Sequence, residues 1–297
     1  MTSLISQVKS KLFIRSSQKS MHALDGAYAS LLRGRSLDFE DLRPYECGDQ
    51  VRDIDWRATA KQGEPLIKRT KATRKHTVLF LVDSGRGMKA LAEDEQPKRD
   101  LTILLAGILG FLTVRHGDDF AFIHGDASRV TRMRTGSSEG SLEHSLRTLQ
   151  HAIDNGTAPN DRDAVLRYTA RNISRRRIVV ILTDEAPMTD ETDHLMRRLK
   201  VQHDVLWLTV RDAELVIDAH STAATRRRDV DTQWTIPDFV HGDAQLMADL
   251  QAQEATATAH RDDVLRRHEI THAEFGAQSE AVATLLAMLN RRSHARI

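Results

Sequence analysis

The sequence predicts an α/β fold, a mostly parallel sheet sandwiched by helices. Two runs, 77–83 (TVLFLVD) and 178–182 (IVVIL), are almost wholly apolar and rich in β-formers, as strands buried on both faces are. Segments of helical length separate the strand candidates, a pattern that implies right-handed βαβ units around a parallel sheet. Both runs lead into an aspartate, Asp83 and Asp184, at the carboxyl edge where open α/β sheets place their sites.

The elements follow in order. Residues 1–76 carry 15 Lys/Arg against 9 Asp/Glu and few long apolar runs, which reads as a solvated, partly extended leader tied onto the core. After the strand at 77–83, residues 98–115 are apolar nearly all round over helical length and read as a buried helix. Residues 119–124 and 129–133 read as short strands around a Gly125-Asp126 turn. Amphipathic helices are expected at 141–153 and 161–173, then the strand at 178–182, a helix at 189–200 and a strand at 204–210. A polar stretch (221–235), a charged helix (243–268), a short strand and a closing helix (277–291) complete the chain. This divides it into a leader (1–76), a core (77–212) and an extension that completes the domain (213–297).

Composition sets bounds on function. The formal charge of the 297 residues is +1, which gives no case for a polyanion binder. Cys47 is the single cysteine, so an intramolecular disulfide and a multi-cysteine metal site are excluded. The longest apolar stretch, Ile103 to Val114, has 12 residues where a membrane span needs about 20. With no apolar signal region at the N-terminus, the expectation is a soluble, cytoplasmic protein. No P-loop and no G-x-S-x-G elbow occur.

The densest motif is 34–61, GRSLDFEDLRPYECGDQVRDIDWRATAK. Asp38, Phe39, Arg43, Tyr45, Gly48, Asp49, Arg52, Asp55 and Trp56 fall close together in it. Arg43 and Arg52 suit bidentate pairing with Asp49 or Asp55, and Trp56 is large enough to anchor the segment on a neighbouring surface. Such a set serves either as an ion-pair staple that clips the leader to the core or as a face that binds a partner.

This stretch resembles the signature of the bacterial domain-of-unknown-function 58 family, with its Phe, Arg, Tyr, Gly-Asp, Arg and Asp-Trp series ahead of a strand ending in aspartate. The resemblance implies a von Willebrand factor A-like fold. It also implies a protein-interaction role without catalysis, as the partner of a MoxR-type AAA+ ATPase in assembling or activating other proteins. Many members carry two transmembrane helices before the signature; this chain resembles the soluble type.

A-like domains also imply a metal-ion-dependent adhesion site, made of an Asp-x-Ser-x-Ser loop, a threonine in a second loop and an aspartate in a third. Mg²⁺ takes about six hard oxygens, some from water. Here Asp83 matches the first position, Gly85 and Gly87 replace both serines, and Ser84 stands one residue out of register. Thr135 is the second-loop candidate and Asp184 the third-loop carboxylate. A degenerate, metal-free edge is the expectation, with Mg²⁺ as the alternative.

Two further motifs offer rival chemistry. His268-Glu269-Ile270-Thr271-His272 matches H-E-x-x-H, which on a helix gathers two histidines around zinc for hydrolysis. Ile270 and Thr271 are β-branched and disfavour helix, and the family resemblance implies a helix end running into a strand here, which separates the imidazoles. Lys68, Arg69, Arg74 and Lys75 form a basic cluster that could touch phosphates but lacks interleaved aromatics, and nucleic acid is not the expected partner. A metal-dependent hydrolase, through these histidines or through Asp83 and Asp184, is the alternative to the interaction module.

Overall fold

The structure, a computed structural model, describes residues 3–15, 18–33, 41–46, 54, 56–69, 75–213, 230 and 244–294. The first part holds α1 (Leu4–Arg15), α2 (Gln18–Arg33), β1 (Asp41–Pro44), α3 (Trp56–Gln62) and β2 (Leu66–Arg69). Then come β3 (Thr77–Asp83), a 3-10 turn (Arg86–Lys89), α4 (Lys98–Arg115), β4 (Asp119–Gly125), β5 (Val130–Arg132), α5 (Glu139–Asn155) and α6 (Arg162–Asn172). The chain continues through β6 (Ile178–Thr183), α7 (Asp190–Gln202), β7 (Asp204–Val210), α8 (Ala244–Arg267), β8 (Thr271–Phe275) and α9 (Ala281–His294).

Six strands form the main sheet in the order β5-β4-β3-β6-β7-β8. All neighbours pair in parallel except β5, an antiparallel edge strand on β4. This is the expected α/β sheet, doubly wound about β3 and β6. The wholly apolar strands are explained by burial on both faces. Val78, Phe80 and Val82 point into one cluster with α1, α2, α4, α5 and α9, while Leu79 and Leu81 point into the other with α6, α7 and α8. Helix α4 is buried continuously from Leu101 to Thr113, because α1 and α5 cover the side that the sheet does not.

The leader departs from its sequence reading as partly extended. Ile5, Val8 and Leu12 of α1, spaced three and four apart, enter the core with Leu24, Ala27 and Tyr28 of α2. Gly107 permits this approach: a Cβ there would stand 2.6 Å from a Val8 methyl. Glu143 of α5 accepts the first N–H groups of α1, from Leu4 at 3.0 Å and Ile5 at 2.8 Å, in the manner of an N-cap supplied from elsewhere in the chain. Tyr28, almost fully buried, donates its hydroxyl to Thr113 at 3.0 Å and so fastens α2 to α4. The signature region forms a small antiparallel pair, β1 with β2, followed in space by α3.

Candidate functional site

The sheet order changes direction between β3 and β6, and the carboxyl ends of these neighbours place Asp83 beside Asp184. Both are buried, at 3% and 8% exposure. The Asp83 carboxyl is held well above the usual carboxylate range, first by burial and second by the nearby Asp184. Its Oδ1 accepts the Gly85 N–H at 3.2 Å, while its Oδ2 is buried with no hydrogen-bond partner. Asp184 is fully engaged: Oδ1 accepts Ala186 N–H at 3.2 Å, and Oδ2 takes the Asn160 amide at 2.5 Å with the Lys98 ammonium at 3.8 Å.

Asn160 is the residue that sequence reasoning missed. It lies in the loop 156–161 (GTAPND) between α5 and α6, two helices with no strand between them. That connection crosses the carboxyl edge, where Arg86 N–H bonds Ala158 O at 2.9 Å and Ala127 N–H bonds Pro159 O at 3.0 Å. The Asn160 side-chain amide oxygen, Oδ1, then accepts Gly87 N–H at 3.1 Å. The available signal was a turn-rich helix–helix link inside an α/β pattern, which has to pass over a sheet edge.

Thr135 is not part of this site. Gly136 bridges to Phe120 near the amino end of β4, whereas Asp83 pairs with Gly125 at its carboxyl end. The five steps along the strand from Phe120 to Gly125 span about 16 Å. The segment after β5 runs antiparallel to β4 and carries Thr135 back toward the opposite edge.

The Mg²⁺ site of A-like domains does not fit these donors. Gly85 and Gly87 supply no side-chain oxygen, and Asn160 fills the space that serines would need. A Cβ on Gly85 would lie 2.4 Å from Asn160 Oδ1 and 2.6 Å from its Cα, and one on Gly87 would lie 2.8 Å from Nδ2. Among the described residues, Asp83 Oδ2 and Thr183 Oγ1 are the buried, unpartnered oxygens at this edge, which leaves nearly the whole shell of about six to water. Restoring the motif with Gly85→Ser is therefore expected to destabilise the fold by about 1–3 kcal/mol through overpacking. Denaturant unfolding in the presence and absence of Mg²⁺ checks this; a stabilised variant that responds to Mg²⁺ would show the loop to be adaptable.

Ser84, the residue out of register, turns the other way. Its hydroxyl meets His124 Nδ1 at 3.1 Å, at the wall of a polar cleft of about 310 Å³ that Arg129, His151 and Thr157 also line. Burial first, and Arg129 second, lowers the His124 pKa, which favours the neutral imidazole at physiological pH.

The H-E-x-x-H segment is not a helical zinc motif. Helix α8 ends in a Schellman arrangement: Ile270 N–H bonds Leu265 O at 2.8 Å, Glu269 N–H bonds Arg266 O at 2.9 Å, and Glu269 takes φ +52°. His268 then faces Asp193 of α7 at 2.7 Å, and His272, in β8, faces Asp262 of α8 at 3.2 Å. Among the described residues no three His, Cys, Asp or Glu groups gather in a metal-holding cluster.

Of the signature, Asp38, Phe39, Gly48, Asp49, Arg52 and Asp55 lie outside the described residues. Arg43 sits in β1 opposite Ile67, and Tyr45 N–H bonds Pro65 O at 2.8 Å. Trp56 opens α3 and is 65% exposed, with Tyr45 at 37%, so Trp56 does not serve as a buried anchor. In the basic cluster, Lys68 and Arg69 belong to β2, Lys75 is exposed, and Arg74 lies outside the described residues. Among the described residues no helix is long and apolar enough to cross a membrane.

Comparison with known proteins gives sequence relatives and solved structures to which the chain is similar. An uncharacterized protein of Mycobacterium tuberculosis and one of Mycobacterium bovis are each 25% identical over 204 residues, covering 67% of this chain. The chain spans 63% of the length of these curated relatives. Among solved structures, an aerotolerance-related membrane protein of Bacteroides fragilis is 16% identical, covering 73% of this chain and 99% of that one, with a TM-score of 0.42. BatB of Bacteroides thetaiotaomicron is 11% identical, with 74% and 99% covered and a TM-score of 0.41. A von Willebrand factor type A protein of Catenulispora acidiphila is 11% identical, with 72% and 42% covered and a TM-score of 0.34. The sequence profile of the family described as Protein of unknown function DUF58 matches residues 41–234. That match starts at β1, takes in Asp83, Asn160 and Asp184 and runs past β7, and on it the chain is a member of the DUF58 family.

Proposed function

We propose that the chain is a non-enzymatic protein-interaction module, an adaptor of a MoxR-type AAA+ ATPase that docks and positions its partner rather than making or breaking bonds. The supporting observation is the exposure of Trp56, 65% accessible to solvent within the signature itself. Exposed large aromatics cost solubility and are enriched where partners bind. A staple that only clips the leader to the core would bury this ring. The partner type comes from the family resemblance, and the cytoplasmic location from the sequence expectation of no signal region; the division at 76 and 212 belongs to the same proposal, with the first part presenting the docking face.

Trp56→Ala is expected to leave the melting temperature within about 1 °C of wild type, as exposed substitutions do, while capture of the ATPase falls at least about tenfold, a hot-spot loss. Melting and co-purification of the two chains side by side test this. A variant that melts early and still binds would return Trp56 to a structural role. The rival reading, a hydrolase using Asp83 and Asp184, has less to support it, since every oxygen of Asp184 is already engaged within the chain.

A further inference from the structure

The carboxyl edge gathers three aspartates, Asp83, Asp184 and Asp212, in a place where buried negative charge needs compensation. Lys98 reaches them from the first residue of α4, directly after Pro97. Its side chain is 2% exposed, with Nζ 2.5 Å from Asp212 Oδ1 and 3.8 Å from Asp184 Oδ2. Lysine is almost never this buried unless paired.

The backbone fixes the arrangement. Leu91 bridges to Pro97 and Ala92 to Asp212, while Lys98 N–H bonds Ala90 O at 2.9 Å. Lysine and aspartate thus approach the edge from two segments held to the same short stretch. The Asp212 side chain is 41% exposed and closes the solvent side, and Asp184 closes the inner side together with the Asn160 amide.

We propose that the Lys98 ammonium is the resident cation of this edge: a tethered positive charge standing where A-like domains with a full hydroxyl set hold a divalent ion. The edge is then metal-independent. The disagreement between the donors and Mg²⁺ has one cause on each side of it, with Asn160 filling the space of the missing hydroxyls and Lys98 supplying the charge. A divalent ion between Asp83 and Asp184 would meet like-charge repulsion from the ammonium, whose Nζ lies 3.8 Å from Asp184 Oδ2. This inference is independent of the partner's identity.

The test uses the full chain, freed of metal by a chelator, with thermal melting and calorimetric titration of MgCl₂ and MnCl₂. For wild type, no binding and no melting shift are expected at millimolar metal. Lys98→Met is expected to lower the melting temperature by roughly 5–10 °C, since it leaves buried carboxylates uncompensated. Millimolar Mn²⁺ then restores at least half of that loss by occupying the vacated position. The double variant Lys98→Met with Asp184→Asn, which removes charge of both signs, is expected to recover much of the stability and to lose the Mn²⁺ response; it supplies the readout where the single variant does not fold. Stoichiometric Mn²⁺ binding by wild type, a Lys98→Met protein that melts like wild type, or one whose melting ignores Mn²⁺ would overturn the proposal.

Discussion

Arg292→Met is expected to destabilise the protein by about 3–5 kcal/mol, the range found when one member of a buried ion pair is removed. Arg292 projects from α9 and is 5% exposed at its side chain, and Asp204, at the start of β7, is 2% exposed. One guanidinium nitrogen bonds the Asp204 carboxylate, and another donates to Val205 O at 3.1 Å. The pair pins the closing helix to the sheet, so its loss removes the guanidinium from a buried carboxylate at the base of β7. Replacing both partners, Arg292→Met with Asp204→Leu, is expected to recover most of the loss, because an apolar pair carries no desolvation penalty. Urea unfolding of the two variants checks both statements. A single variant that loses under about 1 kcal/mol would show that water reaches the carboxylate, as at exposed pairs.

Arg162→Ala is expected to cost about 3 kcal/mol and to loosen the loop that carries Asp184, as several charge-assisted bonds are lost together. The Arg162 side chain is 6% exposed at the start of α6. It donates to Ala186 O at 3.0 Å, to Pro187 O at 2.8 Å and to Thr192 Oγ1 at 3.0 Å, and its guanidinium lies 5.4 Å from the centre of the Trp207 ring. One planar group thereby ties α6 to the segment between β6 and α7. Arg162→Lys is not expected to rescue it, because an ammonium does not reproduce the fork that spans two carbonyls and a hydroxyl. Amide exchange across 184–192 reads this directly: faster exchange there in both variants is the expected result, and unchanged exchange would assign the rigidity of the loop to other contacts.

The legible parts of this fold are those where one physical cause dominates. The strands β3 and β6 declared themselves because burial on both faces leaves no polar positions, and α4 declared itself for the same reason at helical length. The break within His268–His272 came from the family resemblance, with the β-branched Ile270 and Thr271 in agreement. The less legible parts depend on partners distant in sequence. Helices α1 and α2 bury one stripe each, and their lysines and arginines masked that stripe. Lys98 reads in isolation as an ordinary cation beside Arg99, and nothing local says that it turns inward. Asn160 looks like a turn residue until the sheet edge beneath its loop is known. Thr135 failed for a topological reason, since the direction of the chain after β5 is not written in the hydroxyl itself.

The adaptor reading and the metal-free edge can fail separately, one through the partner and the other through Lys98. The central claim is that the chain works by holding an ATPase partner. The measurement that tests it most directly is affinity capture of the tagged full-length chain from its native extract, with and without Mg²⁺ and nucleotide. Recovery of a MoxR-type AAA+ ATPase as a stoichiometric partner of the wild-type chain is the expected result. An eluate free of any such ATPase under every condition would contradict it and turn attention to hydrolase activity at Asp83 and Asp184.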